Sequence, residues 1–331
     1  MTSTPVATPH PRASRELRAP FSVERWALLF ALVAVVAVCA IFLPQFRNSN
    51  LIITMINAQS IILLLALTAT VVLRTGDFDL SISQVMVGSA ATVAVLSGAG
   101  LSPAVIIPTV LAGGLLVGLI NGLLVVWVGV DSFVATLGSF TALAGFSYLI
   151  TGNRVIAGVP DIFITLAREP FLGIPMVTWI AWILVVVLWY VYDLTPVGRF
   201  MIFTGGNRDA ARLSGISVTR VRTGAFLVSG LLAAGIGILF AGYFGSVDPS
   251  VGGQYMLQPF AAAYLGATAI TVGRFNAWGT VVALYLLTTG ITALQLLGAQ
   301  SWVTNLFYGL ALMLSVAAAK IAGKRRGRVA S

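Results

Sequence analysis

Residues 103–128 read PAVIIPTVLAGGLLVGLINGLLVVWV, a run without one ionisable side chain. About 20 apolar residues cross a hydrocarbon core of about 30 Å, so this run is long enough to span a bilayer with room to tilt. Gly114, Gly118 and Gly122 recur at every fourth position within it, the spacing that lets helix backbones approach one another in lipid.

Working outward, the same test gives ten apolar segments, at approximately 26–43, 52–73, 82–98, 103–128, 132–150, 175–192, 223–246, 258–272, 276–298 and 301–321. The third and eighth are short and the fourth is long. The third, fifth and eighth are the candidates for re-entrant segments, whose irregular backbone must be buried in protein. Whole-chain figures agree: 331 residues are 58% hydrophobic and 9% charged, with a mean hydropathy of +0.99. Soluble domains carry about 25% charged residues, so a water-soluble protein is excluded. The expected fold is all-α: a polytopic helical bundle (26–321) between an N-terminal tail (1–25) and a basic C-terminal tail (322–331).

With ten spans both termini fall on one side, and basic residues should gather on alternate loops. Arg12, Arg15, Arg18, Arg25, Arg74, Arg199, Arg208, Arg212, Arg220, Arg222, Arg274, Lys320, Lys324, Arg325, Arg326 and Arg328 take that side, leaving Arg47, Arg154 and Arg168 of the 19 on the other. The positive-inside rule makes the first side, with both termini, cytoplasmic. The net charge of +9 is thereby an orientation signal, with anionic lipid as its partner and no need for nucleic acid.

Several chemistries are missing. The only lysines, Lys320 and Lys324, are followed by Ile321 and Arg325, so no phosphate-cradling loop ends in Lys-Ser or Lys-Thr. His10 is the sole histidine, which excludes a His-based metal site and a Ser-His-Asp triad, and the single Cys39 reads as a packing residue. No metal site, bound cofactor or catalytic residue is expected. The ten acids fall in tails or at span ends, unlike the intramembrane carboxylates typical of ion-driven carriers. What remains is a bundle without a motor of its own.

The 193–222 stretch is the longest loop on the basic side. Within it Gly205-Gly206-Asn207-Arg208-Asp209-Ala210-Ala211-Arg212-Leu213-Ser214-Gly215-Ile216 predicts a short helix, with Asn207 as N-cap, Asp209 at the positive end of the dipole and Gly215 as terminator. Ala210, Ala211, Leu213 and Ile216 supply an apolar surface that either docks on another protein or folds back on this chain's own face.

This pattern, following Pro196-Val197-Gly198-Arg199, resembles the ATPase-coupling loop of permease subunits in sugar-type ABC importers, the ribose, xylose and galactose permease family. Over about residues 50–320 further segments are similar to that family's motifs in the same order: Gly76-Asp77-Phe78-Asp79-Leu80-Ser81, Asn121-Gly122-Leu123-Leu124-Val125, Phe133-Val134-Ala135-Thr136-Leu137-Gly138, and Gly266-Ala267-Thr268 through Gly273-Arg274 to Gly279-Thr280. Asp77 stands where the family has a second glycine, and Asp131 and Ser132 where it commonly has prolines.

The resemblance implies a permease that pairs with a second copy or a paralogue. It binds ABC ATPase subunits, which carry the ATP and Mg, and takes a small uncharged sugar or polyol from an extracytoplasmic binding protein. Residues 205–216 would couple to the ATPase through Gly205, Gly206, Asn207, Asp209, Ala210, Ala211, Leu213, Gly215 and Ile216. Asp77, Asp79, Ser81, Asn121, Thr136 and Thr268 are the pathway or gating candidates. The alternative for Asp77 and Asp79 is a salt-bridged or solvated turn beside Arg74; for Asn121 and Gln59 it is bonding between helices. The family also suggests inverted five-span halves, setting the Arg74–Ser83 loop against Val247–Met256. Rival readings are a branched-chain amino acid or nucleoside ABC permease, and a self-powered carrier.

Overall fold

The computed structural model describes residues 23–329, with side chains over 25–317. The N-terminal residues 1–22, with Arg12, Arg15 and Arg18, lie outside the described residues, as do the side chains of Lys320, Lys324, Arg325, Arg326 and Arg328.

Every apolar segment carries a helix. The first is α1 (Val23–Phe42), and the second is broken into α2 (Ser49–Ala58) and α3 (Ser60–Leu73), bent by 44° at Gln59. Next come α4 (Ile82–Gly98) and α5 (Pro103–Gly122), the latter prolonged by a π-helical turn at Leu123–Val128 that ends on left-handed Gly129. Then α6 (Ser132–Thr151) is N-capped by Asp131, whose carboxylate accepts from the Phe133 and Val134 amides.

A short outer helix α7 (Asp161–Arg168) precedes α8 (Met176–Leu194), α9 (Pro196–Gly206) and α10 (Arg208–Leu213). The last group is α11 (Val218–Phe244), α12 (Leu257–Gly266), α13 (Ala277–Leu296) and α14 (Trp302–Val329). Strand β1 (Ile156–Ala157) pairs antiparallel with β4 (Ser246–Val247), and β2 (Pro170–Phe171) with β3 (Ile174–Pro175).

Among the described residues six helices are long and apolar enough to cross a membrane, and a seventh if the bent pair α2–α3 is one span. Two expectations are thereby corrected. The 52–73 span is broken rather than straight, and the 258–272 span is helical only to Gly266. Beyond it, Asn276 replaces helical hydrogen bonding: its Nδ2 donates to the carbonyls of Gly266, Ala269 and Arg274, while its Oδ1 accepts from the Gly279 amide. That satisfies backbone groups that lipid cannot.

The core is built on α3, in which all residues from Ser60 to Leu73 are buried, with α11 and α12 against it. In lipid the hydrophobic effect does not favour helix–helix contact, so association depends on close packing. The α5 glycine stripe supplies it: a Cβ on Gly114 would lie 2.4 Å from the Gly230 carbonyl oxygen, and one on Gly118 2.4 Å from that of Phe226. Gly138 and Ala142, four residues apart on α6, do not form such a contact within the chain; both are exposed and nothing approaches Gly138. On α11, Gly230, Gly237 and Gly242 each admit a neighbouring backbone, Gly242 that of Phe163 in α7, and Gly245 ends the helix at φ +68.

Two turns, one after α3 and one after α11, share one local device. Asp79 Oδ1 accepts from the Ser81 amide at 3.1 Å and from its hydroxyl, between α3 and α4. Asp248 Oδ1 does the same with Ser250, at 2.9 and 2.7 Å, between α11 and α12. Helix α4 packs on α11 and, reciprocally, α12 on α3.

Gly230→Ala is expected to lower the melting temperature of the detergent-purified protein, since its Cβ would sit 2.2 Å from the Gly114 carbonyl oxygen and force α5 and α11 apart, costing about 1–3 kcal/mol. Gly138→Ala, with open space around it, should leave melting unchanged or raise it by about the Gly-to-Ala helix propensity difference of 1 kcal/mol.

Candidate functional site

The basic loops converge at one end of the bundle. Arg74, at the end of α3, donates from Nη1 to the Phe275 carbonyl and from Nη2 to that of Tyr192 at 3.1 Å, with its guanidinium 4.2 Å over the Tyr192 ring. Arg25 exchanges hydrogen bonds with Ile270 at this same end. Arg168 bonds the Tyr243 carbonyl, and Arg47 those of Ala40 and Ile41, at the other end. The predicted alternation of charge is therefore also a spatial one.

From the basic end α9 and α10 project as a kinked pair. Asn207 breaks the helix at extended φ and ψ, and its Oδ1 accepts from the Asp209 and Ala210 amides, both at 3.0 Å. Gly215 closes α10 at φ +80, where its amide reaches the Arg212 carbonyl and the Ile216 amide that of Ala211. Cap and terminator stand where the sequence places them, and Asp209 pairs with Arg212 at 3.4 Å.

The apolar face divides. Ala211 is buried and Ile216 half-buried against this chain, correcting the expectation of four residues on one docking surface; Ala210 and Leu213 point outward, Leu213 at 91% exposure. Beside the knob Arg212, Gly215, Ile216 and Arg220 border an open recess that reaches Trp127.

Gly205 is inward-facing too. A Cβ there would lie 2.5 Å from the Arg74 carbonyl oxygen, and Gly76, at φ +81, has the Gly205 backbone 3.2 Å from where its own Cβ would be. Two main chains thus touch with no side chain between them. Gly206, by contrast, has nothing near it.

Asp77 fixes this contact. Its Oδ2 accepts from Arg222 Nε at 2.6 Å and its Oδ1 from Arg222 Nη2 at 2.8 Å, a two-pronged pair, while Arg208 Nη2 reaches Oδ1 at 2.9 Å. The Asp77 and Arg222 side chains are 3% and 8% exposed. Asp77 therefore belongs to a salt-bridged turn, as one of the two readings holds, but its partners are the first residue of α10 and the foot of α11 rather than Arg74.

Beyond Asp77 the chain turns inward. Asp79 Oδ2 accepts from Ser229 Oγ at 2.7 Å, and Ser229 lies some three turns, roughly 16 Å, along α11 from its start. An acid placed at a span end by the sequence thus sits at depth. Ser81 Oγ accepts from Asn121 Nδ2 at 2.9 Å, and Asn121 Oδ1 accepts from Ser139.

The first turn of α6 holds the intervening backbone: Ser132 Oγ accepts from the Phe78 amide and Thr136 Oγ1 from that of Leu80, both at 3.1 Å. Ser132, where the related pattern has proline, supplies an acceptor that proline lacks. Asp79, Ser81 and Asn121 are thus one connected network, with Thr136 holding the backbone between the first two, and Asn121 bonds between helices. Thr268 is not part of it; its hydroxyl donates to the Leu265 carbonyl.

Sequence reading missed Arg208, Arg222 and Ser229 as partners of the two acids. The signal available was the unmatched Asp77 itself, a charge in place of a glycine. Among the described residues no group of His, Cys, Asp and Glu is arranged to hold a metal ion.

Comparison with known proteins matches residues 51–316 to the family model described as branched-chain amino acid transport system, permease component. The chain is 30% identical over 310 residues to the ribose import permease protein of Haemophilus influenzae, covering 92% of this chain and 96% of that one. It is 33% identical over 290 residues to the ribose import permease protein of Bacillus subtilis, covering 87% and 89%. It is also 30% identical over 285 residues to the autoinducer 2 import system permease protein of Yersinia enterocolitica, covering 86% and 79%. No solved structure matches the chain significantly.

Asp77→Ala strands the buried Arg222 guanidinium and is expected to destabilise the protein by about 3–5 kcal/mol, read as a fall in melting temperature. Asp77→Ala combined with Arg222→Met should recover most of that loss, because an apolar pair of similar volume carries no unpaired charge. Arg208→Ala alone, its side chain 41% exposed, should cost no more than about 1 kcal/mol.

Proposed function

The chain belongs to the family of import-system permease components, and from that membership we propose that it is the membrane subunit of a binding-protein-dependent ABC importer that moves ribose or a similar uncharged sugar inward. The observation that carries the sugar reading is near full-length similarity to ribose and autoinducer 2 import permeases, in a family whose printed description names branched-chain amino acids. In this reading the chain is no enzyme. ATP and Mg sit on a separate ATPase subunit, since the chain has no Lys-Ser or Lys-Thr to end a phosphate loop.

The 193–222 segment is the coupling loop, and α10 the part that enters the ATPase. Leu213 and Ala210 form the contact, with Arg212 and Arg220 beside it to receive acidic groups. Gly205, Gly206, Asn207, Asp209, Gly215 and Ile216 shape the knob, while Ala211 roots it in the permease. Movement of α10 passes through Arg208 to Asp77 and Arg222, and through the Gly205–Gly76 backbone contact to the 74–81 turn. The Asp79, Ser81, Asn121 and Thr136 network then carries it to α5, α6 and α11 as a rigid-body shift.

The exposed face of α6, with Phe133, Val134 and Leu149, meets a second copy of this chain or a paralogue. Both termini are cytoplasmic, on the basic side, in the inner membrane. The binding protein docks at the opposite end, by the 152–175 loop.

In the complete importer reconstituted in liposomes, Leu213→Asp should abolish ATP-driven ribose uptake with the melting temperature unchanged. Ala211→Asp should lose uptake and stability together, because Ala211 is 2% exposed. Undiminished uptake by Leu213→Asp would overturn the assigned coupling contact.

A further inference from the structure

The route from α10 through Asp77 ends on α5, α6 and α11, and nothing in it moves the entry of α13. Arg74 stands beside that route with a side chain 3% exposed, and its one ion-pair partner among the described residues, Asp193, lies 3.9 Å away and is 40% exposed. A buried cation is costly unless it is paired or hydrogen-bonded. Arg74 relies on hydrogen bonds, and its acceptors are main-chain carbonyls at two separate places.

Each carbonyl is one that its own helix leaves without a donor. The Tyr192 carbonyl lies in the last turn of α8, and the residue four positions on, whose amide would bond it, is Pro196, which has none. Arg74 Nη2 donates to it instead, at 3.1 Å. The Phe275 carbonyl precedes α13, and the amide of Gly279, four residues on, is given to Asn276 Oδ1 at 2.7 Å. Arg74 Nη1 takes that place. The Tyr192 ring lies under the guanidinium at 4.2 Å, with its hydroxyl bonded to that of Thr70 at 2.8 Å, and so holds the group from a third side.

Pro196 also makes this the pivot of the arm that carries the knob. Thr195 is extended between α8 and α9, and α9 folds back so closely that a Cβ on Gly198 would lie 2.1 Å from the Tyr192 carbonyl oxygen. Near the other end of α9, Gly205 rests on the carbonyl of Arg74 itself. The arm thus reaches Arg74 twice, through the Tyr192 carbonyl at its base and through Gly205 toward its tip, while the Arg74 side chain reaches on to Phe275.

From this geometry we infer that Arg74 is a positioning residue, a second branch of the coupling route that carries movement of α9 to the connection before α13. The inference deepens the coupling-loop reading of residues 193–222 and rests on it. A guanidinium suits the task because its planar fork holds two acceptors at fixed positions at once, whereas an ammonium on a flexible stem is a single point charge. Displacement of one carbonyl is passed to the other.

The test uses the complete importer in liposomes, with D-ribose as probe, and reads uptake and ATP hydrolysis together. Arg74→Lys keeps the charge and loses the fork; ribose taken up per ATP hydrolysed should fall about tenfold, the equivalent of about 1.4 kcal/mol, with hydrolysis retained. Pro196→Ala returns an amide to the Tyr192 carbonyl and competes with Arg74 for it. That variant should lower the same ratio while its melting temperature holds or rises, since a helix breaker has been removed. A merely structural Arg74 gives the reverse in Arg74→Lys, lower melting with unchanged uptake per ATP in the folded complexes, and would overturn the inference, as would a wild-type ratio in Pro196→Ala. Leu213→Asp separates the two levels: if it loses uptake while both variants keep the wild-type ratio, only this branch fails, and if it keeps uptake, the coupling-loop reading fails and the branch with it.

Discussion

Two guanidinium groups converge on the Asp77 carboxylate, one from the first residue of α10 and one from the foot of α11. Removed from water, the Asp77 and Arg222 charges are not tolerable apart, and their two-pronged geometry leaves little freedom in their positions, while the half-exposed Arg208 adds a third contact. This constraint fixes the entry of the 74–81 turn, and everything deeper depends on that entry. Only with Asp77 held does the backbone run inward so that Phe78 and Leu80 find the hydroxyls of Ser132 and Thr136, and Asp79 that of Ser229.

The architecture follows from a solvent that offers no hydrogen bonds. Where the chain leaves helical geometry inside the bundle, a side chain takes over the backbone's needs: Asn276 for the 266–276 connection, Ser132 and Thr136 for the inner turn. Glycine does the complementary work of bringing α5 and α11 within backbone contact. The outer helices α1, α6 and α14 keep large apolar side chains exposed, as surfaces facing lipid or another subunit do.

Much of this was legible in the sequence because it rests on periodic or local features. Apolar run length placed the ten segments, the glycine spacing of 114, 118 and 122 named the α5 contact, and Asn207 and Gly215 marked the ends of α10 within a residue. What sequence could not supply was pairing across distance. Nothing local to Asp77 names Arg222, and Arg74, its neighbour in the chain, is turned instead to Tyr192 and Phe275. The direction of a short helix's faces was equally hidden: six residues carry too little periodicity to say that Ala211 faces inward and Leu213 outward. The break at Gln59 escaped for a similar reason, since an amide in an apolar run looks like any interhelical bond until its partner is sought.

Between Gly76 and Gly205 there is bare main chain on both sides. Side chains act as compliant washers; they flex through rotamers and absorb small displacements. Here there is none to flex, so the joint has no backlash, and a shift of the projecting helix by a fraction of an ångström must be met by an equal shift of the turn it touches. A methyl group at either glycine would meet the opposing main chain and wedge the contact open, which makes these two positions unforgiving of change.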